Sequence, residues 1–171
     1  MDENWYVIQV RTGKEEQMAM LFKRHISSDI LIDCFIPRYK RMKKYKGQWH
    51  NDEYLLLKGY VFVITDHIDD LYNALKEIPD LTKVLGNDGT QIYPLWHQEV
   101  IYLLKFGDQH VLDSSIGYIE GDNITIISGP LIGHEGLIKK IDRHKRIAYL
   151  DMQLFDQLTT IQVGLEIIQK K

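Results

Sequence analysis

The sequence is poor in residues that support covalent or metal chemistry. It has one cysteine, Cys34, which excludes an internal disulfide framework and any cluster of cysteine ligands. Its seven histidines are scattered without the spacing of a zinc-binding helix such as HxxxH. No nucleophile–base pair, carboxylate dyad or phosphate-cradling glycine loop is evident. The sequence therefore predicts a binding protein that is not an enzyme and needs no metal or cofactor.

Long apolar runs and an excess of one charge are missing too. No run approaches the roughly 20 apolar residues that span a bilayer, and the acidic N-terminus MDENWY lacks the pattern of a signal peptide. A cytoplasmic protein with no membrane partner is expected. The net charge is −3 over 171 residues, so any binding of nucleic acid must come from local basic patches.

The first hundred residues alternate between strand and helix patterns. The strand-like segments are WYVIQV (5–10), CFIPRY (34–39) and YLLLKGYVFVI (54–64), followed by a shorter one in QIYPL (91–95). Helical spacing is present at 14–26, 68–78 and 95–106. In the strongest strand, Tyr60, Phe62 and Ile64 share one face and Val61 and Val63 share the other. This order predicts an α/β sandwich, in which an antiparallel sheet is flanked by helices.

A basic run interrupts this pattern. Residues 38–46 contain six bases and no acid, reach a turn at Lys46-Gly47 and return through Trp49. This predicts a long hairpin with a basic tip. Such a run is usually a solvated face, but it also suits the phosphate backbone of duplex DNA. Trp49 either packs locally or stacks on a base.

The strand and helix patterns lapse near residue 107, and the remaining sequence is β-like. We predict an N-terminal domain at 1–106, a linker at 107–119 and a C-terminal domain at 120–171. The C-terminal domain opens with GDNITIISGPLIGHEGLIKKID and continues through YLDMQLF, TTIQV and LEII. So few strands favour a small β-barrel, because closing a sheet removes its edges. With the N-terminal sandwich, this predicts a chain of the α+β class. Residues 145–168 should be strand and not helix, because TTIQVG disfavours a helix.

Two motifs together resemble one family. The segment GDNITIISGPLIGHEGLIKKID resembles a KOW motif, a β-barrel element of transcription elongation factors and ribosomal proteins. Trp5-Tyr6-Val7-Ile8, followed by Gly13 and by GYVFV at 59–63, resembles the N-terminal domain of the NusG family of transcription elongation factors. The basic IKKIDRHKRIAYL segment resembles the specialised LoaP-type antiterminators of that family, and Leu57-Lys58 departs from the Phe-Pro pair that is usual in housekeeping members.

The resemblance implies a monomeric regulator of transcription. Its N-terminal domain would bind the β′ clamp helices of RNA polymerase and the opposite lobe, which suppresses pausing and termination. The implied polymerase contacts are Leu57, Tyr60, Phe62, Tyr72 and Asn73. The implied DNA contacts are Arg11, Arg24 and His25 on the displaced non-template strand. The basic run itself adds candidate contacts with upstream duplex DNA, namely Lys40, Arg41, Lys43 and Lys44.

The resemblance also implies a partner for the C-terminal domain, a hairpin in a nascent leader RNA. The candidate RNA-binding residues are Lys139, Lys140, Arg143, His144, Lys145 and Arg146. Residues 120–171 contain seven bases and seven acids, and five of the bases lie in this cluster. Positive charge is therefore concentrated at one place, although a solvated loop is the plainer interpretation. Phe155 matches a position that contacts a small-subunit ribosomal protein in housekeeping members, with core packing as the equal alternative.

Three other functions stay open. The chain could be a housekeeping elongation factor, or an RfaH-type paralogue that is recruited through non-template DNA. A ribosome-associated KOW protein with no role at polymerase is the third, because ribosomal proteins share the KOW motif.

Overall fold

The computed structural model describes residues 4–79, 92–95, 110–154 and 157–169, which fall into two compact units. The first unit comprises Met1–Ile36 and Leu57–His97, and the second comprises Pro37–Leu56 and Gln98–Lys171. In chain order the elements are β1 (Trp5–Gln9), α1 (Glu15–His25), β2 (Asp33–Phe35), β3 (Arg38–Tyr45), β4 (Gln48–Leu55), β5 (Tyr60–Ile64), α2 (Ile68–Leu75), β6 (Ile92–Pro94), β7 (Val111–Leu112), β8 (Ser115–Glu120), β9 (Asn123–Ser128), a 3-10 turn (Glu135–Leu137), β10 (Ile138–Asp142), β11 (Ile147–Leu154) and β12 (Gln157–Ile167). Within the described ranges, no helix is long and apolar enough to cross a membrane.

The first unit is built on a four-stranded antiparallel sheet in the order β2-β5-β1-β6. One face of the sheet carries Val61 and Val63 of β5 and packs against α1 and α2. Phe22 of α1 and Leu71 of α2 are completely buried in this core. The alternation in β5 and the helical spacing in α1 and α2 are therefore confirmed.

The opposite face of the same sheet is aromatic. The Phe35 ring lies 5.5 Å from the Trp5 ring and 5.4 Å from the Phe62 ring, measured between centroids. Phe62 is 0% exposed, whereas Tyr60, at the start of β5, is only partly buried. Desolvation by burial raises the pKa of the Tyr60 phenol above its usual value. Phe62 is therefore a core residue in this structure.

A buried carboxylate binds the backbone of two glycines of the N-terminal motif. Glu15 is 2% exposed, and its two oxygens accept hydrogen bonds from the backbone N–H groups of Gly13 (2.7 Å) and Gly59 (2.9 Å). Both glycines have positive φ, which residues with a side chain adopt only with strain. A buried charge requires such partners, and these two bonds tie the start of α1 to the start of β5.

The strand predicted over 34–39 is wrong in one respect. Chain pairing stops after Phe35 and resumes at Arg38 in a different sheet, so that β2 and β3 are separate strands. Pro37 lies at the break, because proline has no N–H to donate to a ladder. Cys34 is buried in β2, and desolvation raises the pKa of its thiol to about 12. The cysteine is thus an inert core residue.

The described strands of the second unit form two sheets. The basic hairpin, β3 with β4, pairs in register from Arg38 with Leu55 to Tyr45 with Gln48, and β3 also pairs in parallel with β7. Its turn is Lys46-Gly47, with φ of 52° and 74°, as a tight two-residue turn requires. The C-terminal sheet has the order β10-β11-β12-β8-β9. The predicted hairpin and the predicted fold class, α+β with a β-rich C-terminal part, are confirmed.

The strand β12 runs without interruption through TTIQVG and pairs with β11 over eight positions. The expectation of strand in place of helix is therefore confirmed for the described part of 145–168.

Strands also occupy part of the predicted linker. Both β7 and the first residues of β8 lie inside 107–119. The apolar signal is weak because the inward positions of β8 are small, namely Ser115 and Gly117. A Cβ on Gly129 would lie 2.6 Å from the Ser115 Cα atom, so neighbouring backbones approach too closely for large side chains. The helix predicted at 95–106, apart from Leu95, and Phe155 lie outside the described residues.

The complete burial of Phe62 predicts a large contribution to the stability of the protein. Replacing it with alanine should lower the free energy of unfolding by about 3–5 kcal/mol, because a buried ring is replaced by a cavity. Met20→Ala, at a side chain 60% exposed on α1, is the control and should change it by less than about 0.5 kcal/mol. Urea denaturation followed by circular dichroism measures both. Equal stability of the two variants would show that Phe62 is not a core residue.

Candidate nucleic-acid interface

The basic turn, residues 139–146, comprises the last four residues of β10 and the loop that connects β10 to β11. Asp142 pairs with Ile147, and the four residues between them form the loop. The Oδ1 atom of Asp142 accepts a hydrogen bond from the backbone N–H of Lys145 at 2.9 Å, and this bond is the main cause of the lowered pKa of Asp142. Arg146 closes the loop with φ of 57°. The single acid in the cluster therefore shapes the loop that displays the bases.

Five of the six predicted RNA-binding residues are exposed: Lys139, Lys140, Arg143, His144 and Lys145. The Lys139 ammonium lies 3.8 Å from an Asp151 carboxylate oxygen, and the Lys140 ammonium lies 5.7 Å from the Tyr149 ring centroid. Contacts of exposed lysines such as these are weak. The five side chains remain able to meet a polyanion.

Arg146 differs from the other bases in the cluster. It is partly buried, and its guanidinium carbon lies 3.8 Å from the ring centroid of Trp49 in the basic hairpin. One of its terminal nitrogens is also 3.7 Å from a Glu166 carboxylate oxygen. The structure thus engages Arg146 within the protein, where the sequence predicts an RNA contact.

The four hairpin bases predicted to bind DNA alternate between the two faces of β3. Lys40 pairs with Asp113 at 3.6 Å, and the Lys44 ammonium lies 6.0 Å from the Trp49 centroid. The charged groups of Arg41 and Lys43 lie 5.2 Å and 6.0 Å from the centroid of the Tyr54 ring.

Aromatic rings continue to the tip of the hairpin. Tyr45 and His50 are stacked there, with centroids 3.8 Å apart and ring planes inclined by 9°. Basic groups interleaved with rings are typical of surfaces that bind single-stranded nucleic acid.

The structure therefore joins two segments that the sequence treats separately. Trp49 contacts Arg146 of the basic turn, nearly a hundred residues later in the chain. Sequence reasoning missed this pairing, since neither residue has a pattern that names its partner. Gly164 carries the one signal, because it is a glycine inside a strand, at the point where the Lys40 carbonyl oxygen approaches.

The remaining predicted contacts lie in the first unit. Arg11, Arg24 and His25 are exposed, the latter two in the last turn of α1. Of the polymerase residues, Tyr72 is 39% exposed and Asn73 is exposed on α2. Leu57 and Phe62 are 4% and 0% exposed, so this structure does not present them to a partner.

Comparison with known proteins gives this architecture a family. The family model described as transcription termination factor NusG matches residues 3–104, and the KOW motif model matches residues 120–151. The chain belongs to the NusG family. That family consists of transcription termination and antitermination factors, and its members include relatives that the chain matches along nearly the whole length.

Three such relatives are transcription termination/antitermination proteins NusG. The protein of Streptococcus pyogenes is 27% identical, with 96% of this chain and 94% of the relative covered. That of Halalkalibacterium halodurans is 23% identical with 99% of both covered, and that of Buchnera aphidicola is 20% identical with 98% and 96% covered. A solved structure, described as domain interaction in Thermotoga maritima NusG, aligns with a TM-score of 0.56 at 20% identity and covers 94% of this chain and 93% of that one. That likeness supports the NusG-like fold.

The role of Asp142 predicts a titration. Its pKa in the folded protein is lowered from 3.8, so the stabilisation of the loop is complete above that value and is lost as the pH falls through the lower, folded value. The Lys145 amide proton should shift with a midpoint below 3.8, measured by NMR between pH 6 and 2. In Asp142→Asn that shift should disappear. A midpoint at or above 3.8 would mean that the hydrogen bond does not form.

Proposed function

We propose that this NusG-family protein is a specialised antitermination factor of the LoaP type. It binds RNA polymerase through its first unit and a hairpin in nascent leader RNA through the basic turn of its C-terminal sheet. The observation that carries the RNA-binding part is the loop held by Asp142, which displays Arg143, His144 and Lys145 together on an otherwise acidic domain.

The chemistry of the basic turn favours irregular RNA. Lysine binds phosphate as a point charge, whereas arginine also stacks on a base or bridges phosphate oxygens through two donors. Side chains cannot read the deep major groove of a regular A-form stem, but bulges and loops offer unpaired bases. Arg143 and His144 are the two residues of the loop that can stack in this way. The favoured ligand is an RNA hairpin with unpaired nucleotides.

The polymerase contact is proposed on the exposed part of α2. Tyr72 and Asn73 are the side chains offered for the lobe opposite the clamp, and Tyr60 is offered for the β′ clamp helices. Leu57 and Phe62 could join only after the packing around them changes. A factor that binds the elongating state of polymerase better than the paused state shifts the equilibrium between them, which suppresses pausing. Neither activity requires catalysis.

Recruitment through DNA is the second candidate. Arg11, Arg24 and His25 are exposed bases that match the positions of paralogue contacts with non-template DNA. A housekeeping factor and a ribosome-associated protein are the remaining alternatives. The contact with a small-subunit ribosomal protein through Phe155 is also retained as a proposal.

The RNA site is tested by removing charge from the loop. Arg143→Ala with Lys145→Ala should weaken binding of a labelled leader RNA hairpin tenfold or more, and should reduce the slope of log affinity against log salt by about one for each phosphate that is no longer bound. Lys23→Ala with Lys76→Ala removes the same charge from exposed sites of the first unit and should leave both quantities unchanged. Filter binding at two salt concentrations measures them.

Two results would contradict the RNA site. One is unchanged RNA affinity in the loop variant, and the other is affinity that does not depend on salt. Tight binding of single-stranded DNA alone would instead favour recruitment through DNA.

The polymerase site is tested on α2. Tyr72→Ala should weaken binding to a stalled elongation complex by about 2 kcal/mol if this tyrosine is an interface hot spot. The control is Met20→Ala, an exposed apolar side chain on α1. Both variants are first checked for wild-type circular dichroism. Equal binding and equal suppression of pausing by both variants would remove α2 from the proposed interface.

A further inference from the structure

The basic hairpin is attached to the C-terminal sheet by contacts along β3. The Tyr39 hydroxyl donates a hydrogen bond to the Gln162 side-chain oxygen at 3.3 Å. The Arg38 backbone N–H bonds the His110 carbonyl oxygen, and β3 then pairs in parallel with β7. Within the second unit, hairpin and sheet are thus joined by backbone and side-chain bonds.

Gly164 makes the closest part of this attachment. A Cβ at Gly164 would collide with the Lys40 carbonyl oxygen and would lie 2.9 Å from the Ser114 hydroxyl oxygen. Cβ atoms do not occur so close to backbone oxygen, so β3 could not keep this position beside any other residue. The glycine is therefore a specific requirement of the hairpin's placement on β12.

This placement brings two basic segments to one ring. The Arg146 guanidinium carbon lies 3.8 Å from the Trp49 centroid, and the Lys44 ammonium lies 6.0 Å from the same centroid. The ring attracts both cations, and Glu166 offsets part of the charge of Arg146. A polyanion bound over the junction would meet bases of both segments at once.

We propose that a single structured RNA contacts the basic hairpin and the basic turn simultaneously. The hairpin then forms the second half of the RNA site. Lys44 lies on the face of β3 that carries Trp49, and Lys43 lies on the opposite face with Tyr45 and His50, so the RNA passes over the hairpin tip and binds both lysines in place of the upstream DNA that the sequence suggests. Arg146 and Trp49 act as a clasp that sets the spacing of the two halves. The inference rests on the RNA binding proposed above and extends it to a second element.

The side chains of the hairpin favour RNA with unpaired bases over duplex DNA. A duplex offers phosphates to the basic side chains of the hairpin but leaves its aromatic rings without a partner. Tyr45, which stacks on His50, is 43% exposed, and Trp49 is 39% exposed. Arg146 already lies over the Trp49 ring, so Tyr45 is the ring on which an unpaired base can stack.

Holding the two halves at a fixed spacing also has an energetic consequence. Once one half has bound, the other meets the same RNA at high effective concentration. The affinity for an RNA that contacts both halves therefore exceeds the affinity of either half alone. A loose connection would forfeit much of this gain. Arg146 and Gly164 are therefore positioning residues for RNA binding.

The first experiment compares charge removal in the two halves of the full-length protein. Lys43→Ala with Lys44→Ala, and Arg143→Ala with Lys145→Ala, are titrated with the same labelled RNA hairpin at two salt concentrations. Each pair should weaken binding tenfold or more and lower the salt slope, because each variant neutralises fewer phosphates. If only the variant of the basic turn binds more weakly, the RNA site of the proposed function stands and the present inference fails. If neither does, both fail.

DNA provides the second arm of this experiment. The hairpin variant is also titrated with duplex DNA and with single-stranded DNA of matched length. Its decrease in affinity should be larger for RNA than for either DNA. A decrease confined to DNA would overturn the inference and return the hairpin to the upstream DNA.

The clasp is tested by variants that retain the charges of Lys43 and Lys44. Trp49→Ala should weaken RNA binding, Trp49→Phe should restore part of it, and adding Arg146→Ala to Trp49→Ala should cost little more, because partners in one contact are not additive. Fully additive effects would mean that the two residues act independently, and would overturn the clasp.

Gly164→Ala supplies a structural readout. A spin label at Gln48→Cys, in a Cys34→Ala background, should broaden the amide signals of residues 143–146, and Gly164→Ala should abolish that broadening together with the high RNA affinity. A folded Gly164→Ala protein that lacks the broadening and keeps wild-type RNA affinity would overturn the inference. If the variant does not fold, the Trp49 and Arg146 series decides.

Discussion

The second unit depends on the close approach of two backbones, that of β3 at Lys40 and that of β12 at Gly164. Without a side chain at Gly164, the Lys40 carbonyl oxygen occupies space that any other residue would fill. The contacts of Tyr39 with Gln162 and of Trp49 with Arg146 are possible only once the strands lie this close. A single glycine thus controls whether two distant basic segments share a surface.

Charge distribution in this protein is a local property. A chain with a net charge of −3 has no general attraction for nucleic acid. The basic turn nevertheless displays its cations because Asp142 uses its carboxylate to accept a backbone hydrogen bond. In a count of charges Asp142 lowers the net charge of the basic turn, but in the fold its carboxylate holds the loop that displays the bases. Counting charges would therefore misjudge both the strength and the shape of this surface.

In the first unit, two aromatic residues on the same face of one strand differ in their exposure. Tyr60 and Phe62 share a strand face, and the family resemblance assigns both to a partner. Packing separates them, because Phe62 is enclosed with Trp5 and Phe35 whereas Tyr60 at the strand end stays partly accessible. Alternation along a strand specifies which face a residue occupies, but it does not specify what covers that face.

The sequence by itself determined the features that depend on neighbouring residues. Alternation in β5, the helical spacing of α1, the Lys46-Gly47 turn and the strand character of TTIQVG are all short-range signals, and each is present in the structure. The family motifs are also local, and they were readable for the same reason. The strand β8 has a weak sequence signal because its inward residues are small where backbones lie close together.

Only the tertiary structure decided which side chains meet. Arg146 is a base in a basic run by sequence, yet packing places its guanidinium on Trp49 and beside Glu166. No local pattern encodes such a contact, because it depends on the position of a hairpin that is remote in the chain. Packing likewise buries Phe62 and Leu57, which the family resemblance assigns to a contact with polymerase. Residue type and periodicity indicate which interactions a side chain can make. Tertiary packing determines which side chains are engaged inside the protein and which stay exposed to a partner.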